Sequence, residues 1–179
     1  MDIQTVLVTD GNERAALAVT RSLGQQGVRV VVGAETARSL AGASRYCTRT
    51  WQYPSPLSDP SRFVSSLVDA VDLLGITAIM AVTDSATQVL AEKRGEFHSS
   101  VTEGIPSSES YDLVSNKYRL MSLAHELEIP FPKTVFVPDG NIVALRDQVR
   151  AYPVVVKPGR SLLKVDEQWS KTSVHFVSN

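Results

Sequence analysis

Residues 6–33 read VLVTDGNERAALAVTRSLGQQGVRVVVG. Val6, Leu7 and Val8 form a short apolar run, which Asp10, Gly11 and Asn12 break. From residue 13 to 26 the apolar positions Ala16, Val19 and Leu23 recur at helical spacing, with Arg14, Arg21 and Gln25 outside them. Gly27 is suited to stop that helix. Residues 28–32 form the next strand, closed by Gly33. Strand, helix and strand in this order make one βαβ unit.

The alternation continues beyond this stretch. Residues 48–53 read as a third strand, and a Pro/Ser turn cluster follows over 54–60. Ser58 or Asp59 can cap a helix with Pro60 in its first turn. That helix has one wide apolar face made of Phe63, Val64, Leu67, Val68, Val71 and Leu74, and Gly75 ends it. Residues 76–82 are a fourth strand, and Thr83-Asp84-Ser85 opens another helix towards Lys93. The fold class is therefore α/β, a parallel sheet with flanking helices. Ligands of such sheets sit at the carboxyl ends of the strands, which singles out the loops at residues 9–12 and 83–85.

After about Gly104 the pattern turns to α+β. A helix is expected over 116–128, with Leu120, Met121, Ala124 and Leu127 on its apolar side and Pro130 and Pro132 beyond its end. Strands are expected at 134–137, 154–157 and 174–177, with a helix over 142–150 between the first two. The composition divides the chain into residues 1–110 and 111–179, with turn-like, protease-accessible sequence from about 99 to 115.

Composition narrows the function classes. The chain has 179 residues, of which 43% are hydrophobic and 21% charged, so an ordinary core can form. Lys and Arg total 18 against 19 Asp and Glu, a formal charge of −1, which argues against a nucleic-acid-binding surface. Cys47 is the only cysteine, so no internal disulfide and no cysteine zinc cage forms. The longest apolar run, residues 76–82, is too short to span a bilayer, and the start of the chain has no signal-peptide pattern. A soluble, cytoplasmic protein with no membrane role is expected.

Several residues can carry chemistry. In the first loop Asp10 or Asn12 can cap the following helix, or Asp10, Gly11 and Asn12 can contact a substrate. A dinucleotide fingerprint needs three glycines in G-x-G-x-x-G; only Gly11 is present, and Asp10 and Glu13 would repel a pyrophosphate. Thr83, Asp84 and Ser85 can cap their helix and still face the ligand crevice. Lys117, in Ser115-Asn116-Lys117, opposes the dipole at a helix start, a sign that a bound anion would reverse. Lys157 shares a strand face with Val155 at the end of Tyr152–Gly159, YPVVVKPG. On a half-buried face such a lysine needs an anionic partner; at an edge it snorkels into solvent. Arg160, Ser161 and Lys164 add donors for anionic oxygens.

Three stretches together resemble the amino-terminal half of an ATP-grasp enzyme. The relevant kind is the carboxylate–amine ligases, with carbamoyl-phosphate synthase large subunits, biotin carboxylase and D-alanine–D-alanine ligase among them. Residues 6–32 are similar to the opening of the pre-ATP-grasp domain. Residues 115–137, SNKYRLMSLAHELEIPFPKTVFV, are similar to the linker helix and the G-I-P-x-P-x-T strand entry, with Glu128 where glycine is usual. YPVVVKPG is similar to the strand bearing an ATP lysine. The loop Gly159-Arg160-Ser161-Leu162-Leu163 departs from the glycine-rich flap of biotin carboxylase.

The resemblance implies a pre-ATP-grasp domain over 1–110 and a truncated start of an ATP-grasp domain over 111–179. It implies ATP binding through Lys117, Lys157 and Ser161, with Mg²⁺ bridging the phosphates. The Mg²⁺ ligands, the adenine pocket and the catalytic groups would lie downstream of this chain. The parent reaction would phosphorylate a small carboxylate and let an amine attack the acyl phosphate, and the present chain alone would be inactive. The alternatives are a non-catalytic nucleotide- or metabolite-binding module and, further off, an NAD(P)-binding protein. The oligomeric state stays open, a homo-oligomer included.

Overall fold

The computed structural model describes residues 4–98, 101, 104–137, 148–149, 151–165 and 168–178. The chain divides into two units, residues 1–111 with 167–169 and residues 112–166 with 170–179.

The first unit holds β1 (Thr5–Val8), α1 (Arg14–Gln25), β2 (Arg29–Ala34), β3 (Cys47–Gln52), α2 (Pro60–Leu74), β4 (Ala78–Met80) and α3 (Asp84–Glu92). Its four strands make one parallel sheet in the order β3-β2-β1-β4. Alternation along the strands sorts the valines and leucines between two faces. Leu7 pairs with both Val31 and Ile79, and these three join Phe63, Val64, Leu67 and Val71 of α2 in one core. Val6, Val8, Val30 and Val32 point the other way and pack with Ala16 of α1. Both faces are covered, as a parallel sheet requires.

Local chemistry sets most of the ends. Asp59 caps α2 by accepting from the Arg62 amide at 3.1 Å, with Pro60 in the first turn. Gly27 (φ 82°) follows α1 and Gly75 (φ 61°) follows α2, and each takes the left-handed conformation that closes the helix. The Val28 amide reaches back to the Leu23 carbonyl at 3.2 Å, and the Ile76 amide to Val71 at 3.2 Å.

Two strand ends differ from expectation. β2 runs through Gly33 instead of closing there, because Gly33 stays in register opposite Trp51. A Cβ at Gly33 would lie 2.6 Å from the Tyr53 ring, so only glycine lets the strand pass under it. β4 is three residues long rather than seven. Ile76 is spent on closing α2, and Val82 leaves the ladder to bond Asp10 through its backbone.

α4 (Ser108–Ser115) runs through the boundary and gives Asp112 and Ser115 to the second unit, where α5 (Lys117–Glu126) follows at once. β5 (Val154–Val156) pairs antiparallel with β8 (His175–Val177), and β6 (Leu162–Val165) pairs with β7 (Gln168–Lys171). The sequence reading missed α4, β6 and β7. It took residues 108–115 as turn-like, although they are helical. Residues 134–137 form no strand; the Thr134 hydroxyl bonds the Pro132 carbonyl at 2.7 Å. The helix expected over 142–150 falls, apart from residues 148 and 149, outside the described residues. Of the expected apolar face of α5 only Ala124 is buried, and Leu127 is 60% exposed as the C-cap.

α5 closes with the same motif as α1 and α2. The Glu128 amide bonds His125 at 3.1 Å and the Ile129 amide bonds Ala124 at 2.8 Å. Here, however, the left-handed residue is Glu128, with φ 56°. A side chain costs energy in that conformation, and glycine removes the clash. We therefore expect Glu128→Gly to stabilise the second unit by about 0.5–1 kcal/mol in urea denaturation, the left-handed penalty less glycine's entropy. A loss of stability would show that the Glu128 side chain makes a compensating contact.

Candidate functional site

The candidate residues form two clusters, one in each unit. In the first unit the sheet order reverses between β1 and β4, the place where open α/β sheets bind ligands. The loop after β1 carries Asp10, Gly11 and Asn12, and α3 begins after β4 with Thr83, Asp84 and Ser85. Asp10 and Thr83 come near each other, and the Thr83 hydroxyl favours the charged form of the Asp10 carboxyl.

Asp10 is the centre of this cluster. Its backbone is left-handed (φ 58°), a conformation aspartate tolerates better than most residues. Its carboxylate accepts from the Thr9 hydroxyl at 2.5 Å. Its amide donates to the Tyr53 hydroxyl at 2.7 Å, and that hydroxyl donates to the Gly33 carbonyl at 3.3 Å. The helix-cap role for Asp10 or Asn12 is overturned. Glu13 is the N-cap of α1 and makes no side-chain cap bond, because the Asp10 side chain is turned to Thr9 and Thr83. Asn12 is exposed and donates to the Thr36 hydroxyl at 3.1 Å.

Gly11 is buried between strands; its amide bonds the Gly33 carbonyl at 2.9 Å, and a Cβ would lie 2.6 Å from the Ser39 hydroxyl. Thr83 does cap α3, accepting from the Ala86 amide at 3.2 Å, and its hydroxyl lies 3.0 Å from that of Ser85. Asp84 is exposed in the first turn of α3, while Ser85 is buried. The sequence reading placed Thr9 in the first loop to watch but missed Tyr53. A hydroxyl-bearing aromatic at the carboxyl end of the third strand was the available signal.

Burial pushes the Asp10 carboxyl above its ordinary value of 3.8, against the lowering effect of the Thr9 and Thr83 hydroxyls. Burial and the nearby Asp10 charge likewise hold the Tyr53 phenol far above its usual range. A carboxyl raised in the folded state keeps its proton to higher pH than in the unfolded chain. Its contribution to stability therefore falls as pH rises through that window. Asp10→Asn should raise the denaturation midpoint at pH 7, and the gain should shrink as pH approaches 4. A gain that does not vary with pH would place its cause outside the carboxyl's ionisation.

In the second unit the candidates are Lys117, Lys157 and Ser161. Asn116 caps α5 by accepting from the Tyr118 and Arg119 amides at 3.0 and 3.3 Å, which makes Lys117 the first helical residue. The Lys117 amide donates to the Gly159 carbonyl at 2.8 Å, so α5 and the loop after β5 are joined at the backbone. Lys157 and Val155 are both exposed, which overturns the half-buried face argued from strand alternation. The two-stranded β5–β8 sheet leaves that face uncovered. Ser161 precedes β6, and its carbonyl accepts from the Thr172 amide at 3.0 Å.

Arg160 does not offer its guanidinium to a ligand. It pairs with Asp112 and donates to the Ser115 hydroxyl at 3.2 Å. Among the described residues neither Lys117 nor Lys157 has an ion-pair partner. No group of three or more His, Cys, Asp or Glu side chains is assembled there, and no helix is long and apolar enough to cross a membrane.

A scan of protein-family models and a search of curated proteins return no match. Solved structures do match. N5-carboxyaminoimidazole ribonucleotide synthetase from Thermotoga maritima superposes with a TM-score of 0.62 at 19% identity, over 99% of this chain and 41% of that one. L-amino acid ligase from Bacillus licheniformis gives 0.65 at 14% identity, over 98% and 39%. Biotin carboxylase from Campylobacter jejuni, solved as a complex with β-γ-ATP, gives 0.56 at 17% identity, over 99% and 39%. The chain thus spans about 40% of the length of these neighbours and shares their fold over that part.

Proposed function

We propose that this chain is the amino-terminal part of a cytoplasmic ATP-dependent carboxylate–amine ligase that works through an acyl phosphate, and that it is inactive alone. The observation that carries the reading is the superposition of nearly the whole chain on two fifths of several such ligases. Residues 1–110 would be the pre-ATP-grasp domain and 111–179 the start of the ATP-grasp domain. The division between Tyr111 and Asp112 supports that boundary. Val155 and Phe176 face one way across the β5–β8 pair and are 45% and 81% exposed, which supports a covering segment in the complete protein.

In this reading Lys117, Lys157 and Ser161 hold the ATP phosphates. Ammonium groups fixed at the phosphates offset the charge that builds on the transferring phosphoryl group. The loops with Asp10, Gly11, Asn12, Thr83, Asp84 and Ser85 would contact the small carboxylate or amine substrate. The implied Mg²⁺ does not fit the described residues of the second unit, since no group of three or more His, Cys, Asp or Glu side chains is assembled among them and the Asp112 carboxylate is taken by two arginines. No step of the chain's own chemistry runs through the metal.

Calorimetry with Mg-ATP and a phosphate-release assay over a panel of carboxylates test the reading. Weak binding that fades with salt is expected, with no release, because exposed charge contacts are screened beyond ~10 Å at 0.1 M salt. Lys157→Ala should weaken the binding more than Lys171→Ala on β7. Turnover that requires Lys157 would mean that a complete site exists in these residues, and the fragment reading would fall.

A further inference from the structure

The loop that leaves β5 is tied down at three successive carbonyls. The Gly159 carbonyl accepts from the Lys117 amide at 2.8 Å, the Arg160 carbonyl from the Thr172 hydroxyl at 2.7 Å, and the Ser161 carbonyl from the Thr172 amide at 3.0 Å. The Arg160 side chain then reaches to α4, where it pairs with Asp112 and donates to Ser115. The second oxygen of Asp112 takes Arg119 of α5. One carboxylate therefore links an arginine of the loop to an arginine of the helix. The Arg160 side chain is 28% exposed, so its ion pair is more sheltered than an ordinary surface pair. The guanidinium of Arg160 also draws the Asp112 carboxyl below its usual range, so the link is charged at neutral pH.

We propose that Asp112 and Arg160 are positioning residues that hold the loop 157–161 to the start of α5 and thereby set the distance between Lys117 and Lys157. This rests on the reading of those lysines as phosphate ligands. A planar guanidinium bonding at two points fixes direction as well as distance, which lysine cannot do. Two ammonium groups held apart by a rigid frame meet a polyphosphate without the entropic loss of ordering the loop on binding. Neither positioning residue needs to touch the ligand.

The test uses amide hydrogen exchange by NMR and Mg-ATP calorimetry on the chain as it stands. Arg160→Gln should speed exchange at the Lys117 and Thr172 amides by about tenfold, as loss of a charge-assisted bond predicts. Asp112→Asn should do the same, and the double variant should be no worse than either single one. Arg119→Gln leaves the Arg160–Asp112 contact in place and removes only the tie of Asp112 to α5, so it should speed exchange at both amides less than Arg160→Gln does. Mg-ATP affinity should fall about tenfold in the variants that free the loop, while the first unit keeps its thermal midpoint. If Arg160→Gln unfolds the second unit, Arg160→Lys keeps the charge, loses the two-point contact and serves the same comparison. Unchanged exchange in Arg160→Gln, additive losses in the double variant, or an equal loss in Arg119→Gln would overturn the proposal. Wild-type chain that binds no Mg-ATP but shows the expected exchange pattern would overturn the ligase reading and leave the clamp standing.

Discussion

Leu67→Ala should cost about 2–5 kcal/mol of stability, the range for emptying a well-packed leucine site. Leu67 is completely buried on α2 and belongs to the core of Leu7, Val31, Phe63, Val71 and Ile79. That core lies between the sheet and two helices, so its walls cannot move in without shifting strands. Leu73 on the same helix is 73% exposed and is the internal control. Its truncation should change stability by no more than about 0.5 kcal/mol. Chemical denaturation with an unchanged slope reads both. Equal losses at the two positions would mean that α2 is rotated on the sheet. A loss below about 0.5 kcal/mol at Leu67 would mean that the site collapses onto the gap.

Tyr53→Phe should cost about 1–3 kcal/mol, although it removes a single oxygen. The ring stays, packed edge-on against Phe63 with centroids 4.9 Å apart. The hydroxyl is both the acceptor for the Asp10 amide and a donor to the Gly33 carbonyl. Without it the Asp10 amide has no partner in a pocket that already raises the pKa of the Asp10 carboxyl. An unmet donor there costs more than a typical hydrogen bond gains. The substitution should also loosen the left-handed turn at Asp10, seen as faster exchange of the Gly11 amide. A stability change near zero would show that water or another acceptor serves the Asp10 amide.

What could be read from the amino acids alone follows a physical division. The α/β class, the βαβ opening, a cap at Ser58 or Asp59 and the ends of α1 and α2 at Gly27 and Gly75 were legible. Each depends on residues within about one or two helical turns of each other. The buried face of α2 was legible for the same reason: its periodicity states which side avoids water before anything covers it. The second unit was read less well. The four residues of β6, and the four of β7, are too few to set a period and do not alternate apolar with polar as the strand template asks, so neither left a signal, and the apolar run at 134–137 found no partner strand.

The candidate site divides along the same line. The sequence pointed to the loops after the first and fourth strands, because ligand crevices of parallel sheets follow from strand order. It could not tell that Asp10 turns away from α1, since Tyr53, 43 residues later, takes the Asp10 amide. The same applies to Arg160, expected to face anionic oxygens but turned to Asp112, 48 residues before it. It applies again to Lys157, whose strand lies exposed. Helix periods, caps and left-handed turns are local, and the sequence by itself determined them. Which polar side chains meet across the fold depends on the closing of the sheet and the seating of the loops, and only the tertiary structure decided it.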